Sequence, residues 1–348
     1  MTQKPPLFVE LCAGTAALSL RLAHPRARPP ASRMGAKTGY ADAILRCMGL
    51  HPGQGAEHYL WCEPDAGVRL LLHALRDREI ATKAAAIIAS WASEDPRALW
   101  ERLKAEGPAV CPPVDPREVA RVARIISANR LVNPDPETWK NTGNGGYRHG
   151  GAEFCTPIDR LADAMAAVPQ VDGAAVVDDA RAVDAREVAR VLYGSATSYD
   201  ARLWSGFVHP EEGGRYGAAR ADVARRTAEL PTLPATITDD ARPLEPPQLP
   251  PGVCVFADPP YLNTTGYAHA FPRSEWLPVV RRWRDAGALV VVSEAEPIPD
   301  LMAEGWHAVE ITGERKGQKR TFSKQQREFL TMSEPPRWRP SVQESLFG

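Results

Sequence analysis

The sequence predicts an α/β protein built on a doubly wound, mostly parallel sheet, with a smaller domain inserted into it. Three observations carry that expectation. Short apolar runs alternate with helical stretches along the chain, as parallel strands joined by crossover helices require. Most of the runs end in small or acidic residues, which is where an open parallel sheet gathers its polar chemistry. The alternation is lost over 96–170 and 196–232, which are rich in Pro, Gly, Asn and Arg. Those stretches read as the insert, leaving 1–95, 171–195 and 233–348 to the sheet domain.

The elements follow in order. Leu7-Phe8-Val9-Glu10-Leu11 is a first strand, Cys12-Ala13-Gly14-Thr15-Ala16 a small-residue turn, and 17–23 continues helically. Residues 24–39 break the pattern and are basic, and a helix over 40–49 comes next. Tyr59-Leu60-Trp61-Cys62-Glu63 is a second strand with a helix from Ala66. Two further strands end in nearly the same words: 174–177 runs into Asp178-Asp179-Ala180-Arg181, and 236–238 into Asp239-Asp240-Ala241-Arg242. The echo is too short for a structural repeat and marks two equivalent strand ends. A fifth strand at 253–257 is stopped by Asp258-Pro259-Pro260-Tyr261, and a sixth at 288–292 follows an Arg-rich helix at 275–285. The tail, 327–332, reads as an edge strand. Together these make a Rossmann-like sheet.

Composition narrows the class. The 348 residues carry 42 Lys+Arg against 43 Asp+Glu, and 44% are hydrophobic. The apolar share excludes a disordered chain, and the balanced charge excludes a protein that coats nucleic acid by charge alone. No stretch approaches the roughly 20 apolar residues of a membrane span. The start, Met-Thr-Gln-Lys-Pro-Pro, lacks the apolar core of a secretory signal. Cys12, Cys47, Cys62, Cys111, Cys155 and Cys254 form no close pair for zinc or redox work. The expectation is reduced thiols in a cytoplasmic protein without a bound metal.

The chemistry concentrates at Asp258-Pro259-Pro260-Tyr261, directly after a strand. These residue types fit one task, the alkylation of an exocyclic amino group conjugated to an aromatic ring. Such a nitrogen is a poor nucleophile because its lone pair is delocalised. The Asp258 carboxylate and the Pro259 carbonyl can each accept one N–H, favour a pyramidal nitrogen and stabilise the positive charge that develops on it. Proline holds that carbonyl because its φ is locked, and the Tyr261 ring offers a face to a flipped base.

With that tetrapeptide, the chain resembles the Dam-like class of S-adenosylmethionine-dependent N6-adenine DNA methyltransferases. The order matches: cofactor motif, target-recognition insert, then Asp-Pro-Pro-Tyr. The family's first motif, Glu-Pro-Phe-x-Gly-x-Gly, stands here as Glu10-Leu11-Cys12-Ala13-Gly14-Thr15-Ala16, with Cys12 for Phe and Ala16 for the second Gly. The resemblance implies that Glu10, Cys12, Ala13, Gly14 and Thr15 border S-adenosylmethionine. It also implies that Glu63, with Asp65 as its rival, holds the ribose hydroxyls. The resemblance implies further that Asp240, with Asp179 as its rival, contacts the cofactor adenine. Arg33-Met34-Gly35-Ala36-Lys37 resembles the family's Trp-Ala-Gly-Gly-Lys, although here it follows the first strand, and Lys37 is assigned to the cofactor or DNA side. The polar run 262–269 is a candidate lid over the extruded base, and Ser293 a candidate lining residue.

Two runs carry six cations each. Arg315, Lys316, Lys319, Arg320, Lys324 and Arg327 come without an acid, whereas the run from Arg21 to Arg46 includes Asp42. Both can neutralise phosphates. Tyr147 and Arg148, in an Asn- and Gly-rich loop, are candidate readers of base edges. Other chemistries lack their residues: no Cys follows a Pro, as carbon-5 cytosine methylation requires, and no Gly-x-Gly-x-x-Gly, Gly-x-Ser-x-Gly or His-Glu-x-x-His occurs. The resemblance implies methylation of adenine N6 in double-stranded DNA, with a restriction endonuclease as an allowed partner. Methylation of cytosine N4 or of RNA, or a DNA-binding relative without turnover, fits the same residues.

Overall fold

The computed structural model describes residues 4–31, 36–114, 183–198, 203–209, 220–246, 248–261, 269–315 and 327–340. All of them belong to one compact unit formed by Met1–Val122 and Val183–Gly348. Its centre is a seven-stranded sheet in the order β3-β2-β1-β4-β5-β7-β6. The strands are β1 (Phe8–Glu10), β2 (Tyr59–Cys62), β3 (Ala235–Thr238), β4 (Cys254–Ala257), β5 (Leu289–Glu294), β6 (His307–Glu310) and β7 (Phe329–Met332). Five are parallel, with Val9 level with Leu60 on one side and Val255 on the other. β7 runs antiparallel to both β5 and β6.

Every strand except β6 is buried along its whole length, as happens when helices cover both faces of a parallel sheet. This explains the continuous runs such as Leu289-Val290-Val291-Val292. The tail strand is placed differently from the expectation: β7 is internal, with Leu330 and Met332 buried, and the edge is β6. His307-Ala308-Val309-Glu310 mixes polar and apolar residues because only part of an edge strand is covered, so the sequence pattern did not reveal it. The strand expected at 174–177 lies outside the described residues.

The helices are α1 (Ala17–Ala23), α2 (Ala41–Cys47), α3 (Ala66–Arg76), α4 (Arg78–Ser90), α5 (Pro96–Ala105), α6 (Ala185–Ala196), α7 (Arg220–Ala228), α8 (Arg273–Asp285) and α9 (Pro299–Ala303). Aspartates start four of them: Asp65, Asp77, Asp95 and Asp184 each accept a backbone N–H from the first turn of the helix that follows, relieving donors that have no partner within the helix. Pro96 follows Asp95 where its missing N–H costs nothing. The segments of α5 and α7 fall in the ranges that the sequence reading gives to the insert. In the structure α5 packs on α6 and α7 on α4.

Arg190 ties this helical layer together. It is 1% exposed, forks onto Glu187 at 2.6 and 2.7 Å, and donates to the carbonyls of Leu103, Gly107 and Pro108. One turn further along α6, Gly194 leaves room for the segment at 203–209: a Cβ there would lie 2.6 Å from Leu203 Cδ1 and 2.7 Å from Trp204. Trp204 itself takes a left-handed φ of 60°. Gly194→Ala is therefore expected to push 203–209 off α6 and cost about 1–3 kcal/mol of stability by overpacking, read as a lower urea midpoint with an unchanged slope.

Candidate active site

The strand order reverses between β1 and β4: the chain leaves β1 toward β2 and β3, and leaves β4 toward β5. A crevice opens at such a switch point, outside the carboxyl ends of the strands. A cavity of about 1200 Å³ lies there, bordered by the turn after β1 and by the ends of β2, β3 and β4.

The turn after β1 is stitched to its neighbours. Leu11 N donates to Phe256 O and Ala13 N to Cys62 O, both at 2.9 Å. Gly14 and Ala16 take left-handed φ values of 51° and 49°. Ala16 accepts about 1–2 kcal/mol of strain to turn there. A Cβ on Gly14 would meet nothing within 4 Å, so the bare backbone of Gly14 opens onto the cavity it lines. Thr15 Oγ1 is buried beside it with no hydrogen-bond partner among the described residues.

Two carboxylates hold this turn. Glu63 accepts Gly14 N at 2.9 Å and Asp65 N at 3.0 Å, joining the turn to the start of α3. Arg69 lies behind them and donates to the carbonyls of Glu63 and Pro64. Glu10 closes β1 and accepts both the backbone N–H and the hydroxyl of Ser19, at 2.9 and 2.5 Å. Trp61 Nε1 donates to the same hydroxyl at 2.8 Å. Burial pushes the Glu10 carboxyl up to about 7 against the opposing Ser19 bonds, with the Asp258 charge adding to the rise. Cys12 lines the cavity too, and burial raises its thiol well above the ordinary range, with Asp258 and Glu63 adding to the rise. It is a protonated wall residue and no nucleophile at neutral pH.

At the end of β3, Asp239 and Asp240 border the cavity. Asp240 accepts Arg242 N at 2.9 Å. Arg242 in turn pairs with Glu275 at 2.6 Å, donates to Ala270 O at 3.0 Å and lies 5.4 Å over the Phe271 ring. That fastens 269–271 to the rim.

The end of β4 holds an unexpected cluster. Asp258 and Pro260 line the cavity, while Tyr261 is 7% exposed behind them. Lys37 is buried beside it, its ammonium 2.6 Å from the Tyr261 hydroxyl, 3.1 Å from Asp258 Oδ1 and 3.3 Å from Glu328 Oε1. The same ammonium sits 4.5 Å over the Tyr261 ring. The Tyr261 hydroxyl also reaches Ser293 Oγ at 2.7 Å and donates to Glu328 Oε1 at 2.5 Å, and Ser293 donates to that oxygen as well. One cation thus faces two carboxylates. Burial raises Asp258 to about 7; Lys37 opposes the rise and Glu328 adds to it. Lys37 stays charged, because Asp258, Tyr261 and Glu328 together outweigh the burial penalty.

Glu10, Cys12, Ala13, Gly14, Thr15, Glu63, Asp240, Asp258 and Pro260, singled out in the sequence, are brought to one cavity. Lys37, assigned in part to DNA, borders the cavity and holds its ammonium against Tyr261, Asp258 and Glu328. Tyr261, expected to stack on a base, is buried behind Asp258 and Pro260, with its hydroxyl bonded to Lys37, Ser293 and Glu328. Tyr147, Arg148, Lys316, Lys319 and Arg320 lie outside the described residues, as do Asp179 and the run 262–268. Glu328, Arg69, Asp239 and Phe271 were missed. Only Glu328 left a trace, as an acid set directly against an apolar strand.

Among the described residues no group of His, Cys, Asp or Glu is placed to hold a metal ion, and no helix is long and apolar enough to cross a membrane. No protein-family model matches the chain, and no curated protein matches it in sequence.

The raised carboxyl of Glu10 predicts a pH dependence. Its folded value lies above the ordinary 4.5, so the folded state holds a proton that the unfolded chain releases. That stability is fully present below about 4.5 and is lost as pH rises through about 7. Urea unfolding at pH 5 and pH 8 should show the wild type losing stability with rising pH. Glu10→Gln, which keeps an acceptor for Ser19 without a titrating proton, should recover on the order of 3 kcal/mol of that loss.

Proposed function

We propose that the protein is an S-adenosylmethionine-dependent methyltransferase acting on the exocyclic amino group of a nucleobase, adenine N6 of DNA in the first place. One observation carries the reading: Asp258 and Pro260, at the end of β4, face the same switch-point cavity as the open Gly14 turn after β1, with Pro259 buried between them.

The cavity supports a cationic ligand. Glu10, Glu63, Asp65, Asp239, Asp240 and Asp258 border it, against Lys37, Arg69 and Arg242. Such a lining attracts a ligand bearing a sulfonium and an ammonium and repels a dinucleotide's diphosphate. The volume exceeds the roughly 300–1,000 Å³ of a pocket for one small molecule, leaving room for a cofactor and a base together. The residues fit the cofactor: Gly14 keeps a Cβ out of the space, Thr15 Oγ1 lacks a partner among the described residues, and Glu63 and Asp240 offer acceptors to ribose and adenine.

S-adenosylmethionine bound there supplies an electrophilic methyl group. The chain does the rest. The Asp258 carboxylate and the Pro259 carbonyl accept the two N–H of the amino group, holding the nitrogen with its lone pair out of conjugation. Lys37 keeps Asp258 ionised so that it can accept, and the negative carboxylate stabilises the charge that develops on nitrogen. The proton lost from nitrogen passes to Asp258, whose elevated affinity for protons equips it as the receiver. Tyr261 anchors the tetrapeptide through Lys37, Ser293 and Glu328.

Asp258→Ala should lower the methylation rate by at least about 100-fold while calorimetry still finds S-adenosylmethionine bound with near wild-type affinity. Appreciable turnover in that variant, or no cofactor binding by the wild type, would overturn the reading.

A further inference from the structure

Glu328 stands immediately before β7, 4% exposed, far in sequence from Asp258-Pro259-Pro260-Tyr261. β7 brings it there by running antiparallel beside β5. Its backbone is pinned from the other side, N–H to Thr312 Oγ1 and carbonyl to Ile311 N, both at 2.8 Å. Its side chain meets Lys37 at 3.3 Å and takes the Tyr261 hydroxyl and Ser293 on one oxygen.

We infer that Glu328 is a positioning residue of the amino-group site, acting through Lys37: it shares the one buried ammonium with Asp258, so that Asp258 keeps the strength of an acceptor whose counter-ion is only partly its own. This rests on the methyltransferase reading. Were Lys37 to serve Asp258 alone, the ion pair would quench the carboxylate as an acceptor and as a receiver of the proton. Sharing also fixes Lys37 between two anions and a phenol, leaving the ammonium one place to sit. The groups facing Glu328 are Lys37, Asp258, Tyr261 and Tyr40, and those facing Asp258 are Lys37, Glu328, Glu294, Glu10, Cys12 and Tyr261. Apart from Lys37 these are acids or weak acids, so removing one negative charge moves Asp258 in a single direction.

The test compares the wild type with Glu328→Gln, following the Asp258 carboxyl by carbon-13 NMR across pH and methyl transfer across the same range. In Glu328→Gln the Asp258 midpoint should fall by about one pH unit or more. The acid limb of kcat should move down with it, and kcat at pH 8 should drop several-fold at unchanged cofactor Kd. Glu328→Asp keeps the charge but draws it back by one methylene, and should give a smaller shift in the same direction; it serves alone if the Gln variant does not fold. An Asp258 midpoint that stays put in the folded variants overturns the inference. A midpoint that shifts in a protein showing no methyl transfer upholds the charge sharing and overturns only the reading of function.

Discussion

The ammonium of Lys37 organises the end of the sheet that borders the cavity. A buried cation is costly unless its counter-ions and acceptors are in place, and those of Lys37 come from separate parts of the sheet. Asp258 and Tyr261 follow β4, while Glu328 precedes β7 and reaches Ser293 in β5. Holding Lys37 therefore fixes where β4 ends, how the tetrapeptide turns, and how β7 is seated. The antiparallel strand that completes the sheet and the residues that border the cavity depend on the same charge.

Two carboxylates of the cavity, Glu10 and Asp258, are lifted to about 7 by burial, yet their surroundings divide their work. Glu10 takes the backbone N–H and the hydroxyl of Ser19 on one oxygen, with Trp61 behind, and so holds α1 against β1 and β2. Asp258 meets a shared cation on one side and the cavity on the other. A group with a strained charge balance and an open side is available for chemistry. The open turn at Gly14 and the acidic rim at Glu63 and Asp240 border the same cavity as Asp258.

Much of this was legible in the sequence because it rests on local rules. Parallel strands buried on both faces read as apolar runs. Cavity residues such as Gly14, Glu63, Asp240 and Asp258 follow directly on strands, so that locating β1 to β4 located them. What failed was non-local. The edge strand β6 is half-covered and carries no clear alternation. Lys37 reads as one more cation in a basic segment, and nothing in 24–39 tells that its ammonium is enclosed by residues from the far end of the chain. Glu328 precedes an apolar strand like many solvated acids, and only the antiparallel pairing of β7 turns it inward.

The central claim is that this cavity brings a methyl donor to the amino group of a base. The most direct measurement is incubation of the full chain with deuterium-labelled S-adenosylmethionine and double-stranded DNA, followed by mass spectrometry of the released nucleosides. The account predicts label in N6-methyladenine. Label confined to N4-methylcytosine, or appearing only when RNA replaces DNA, would keep the chemistry and change the substrate; no labelled nucleoside from either nucleic acid would contradict the account.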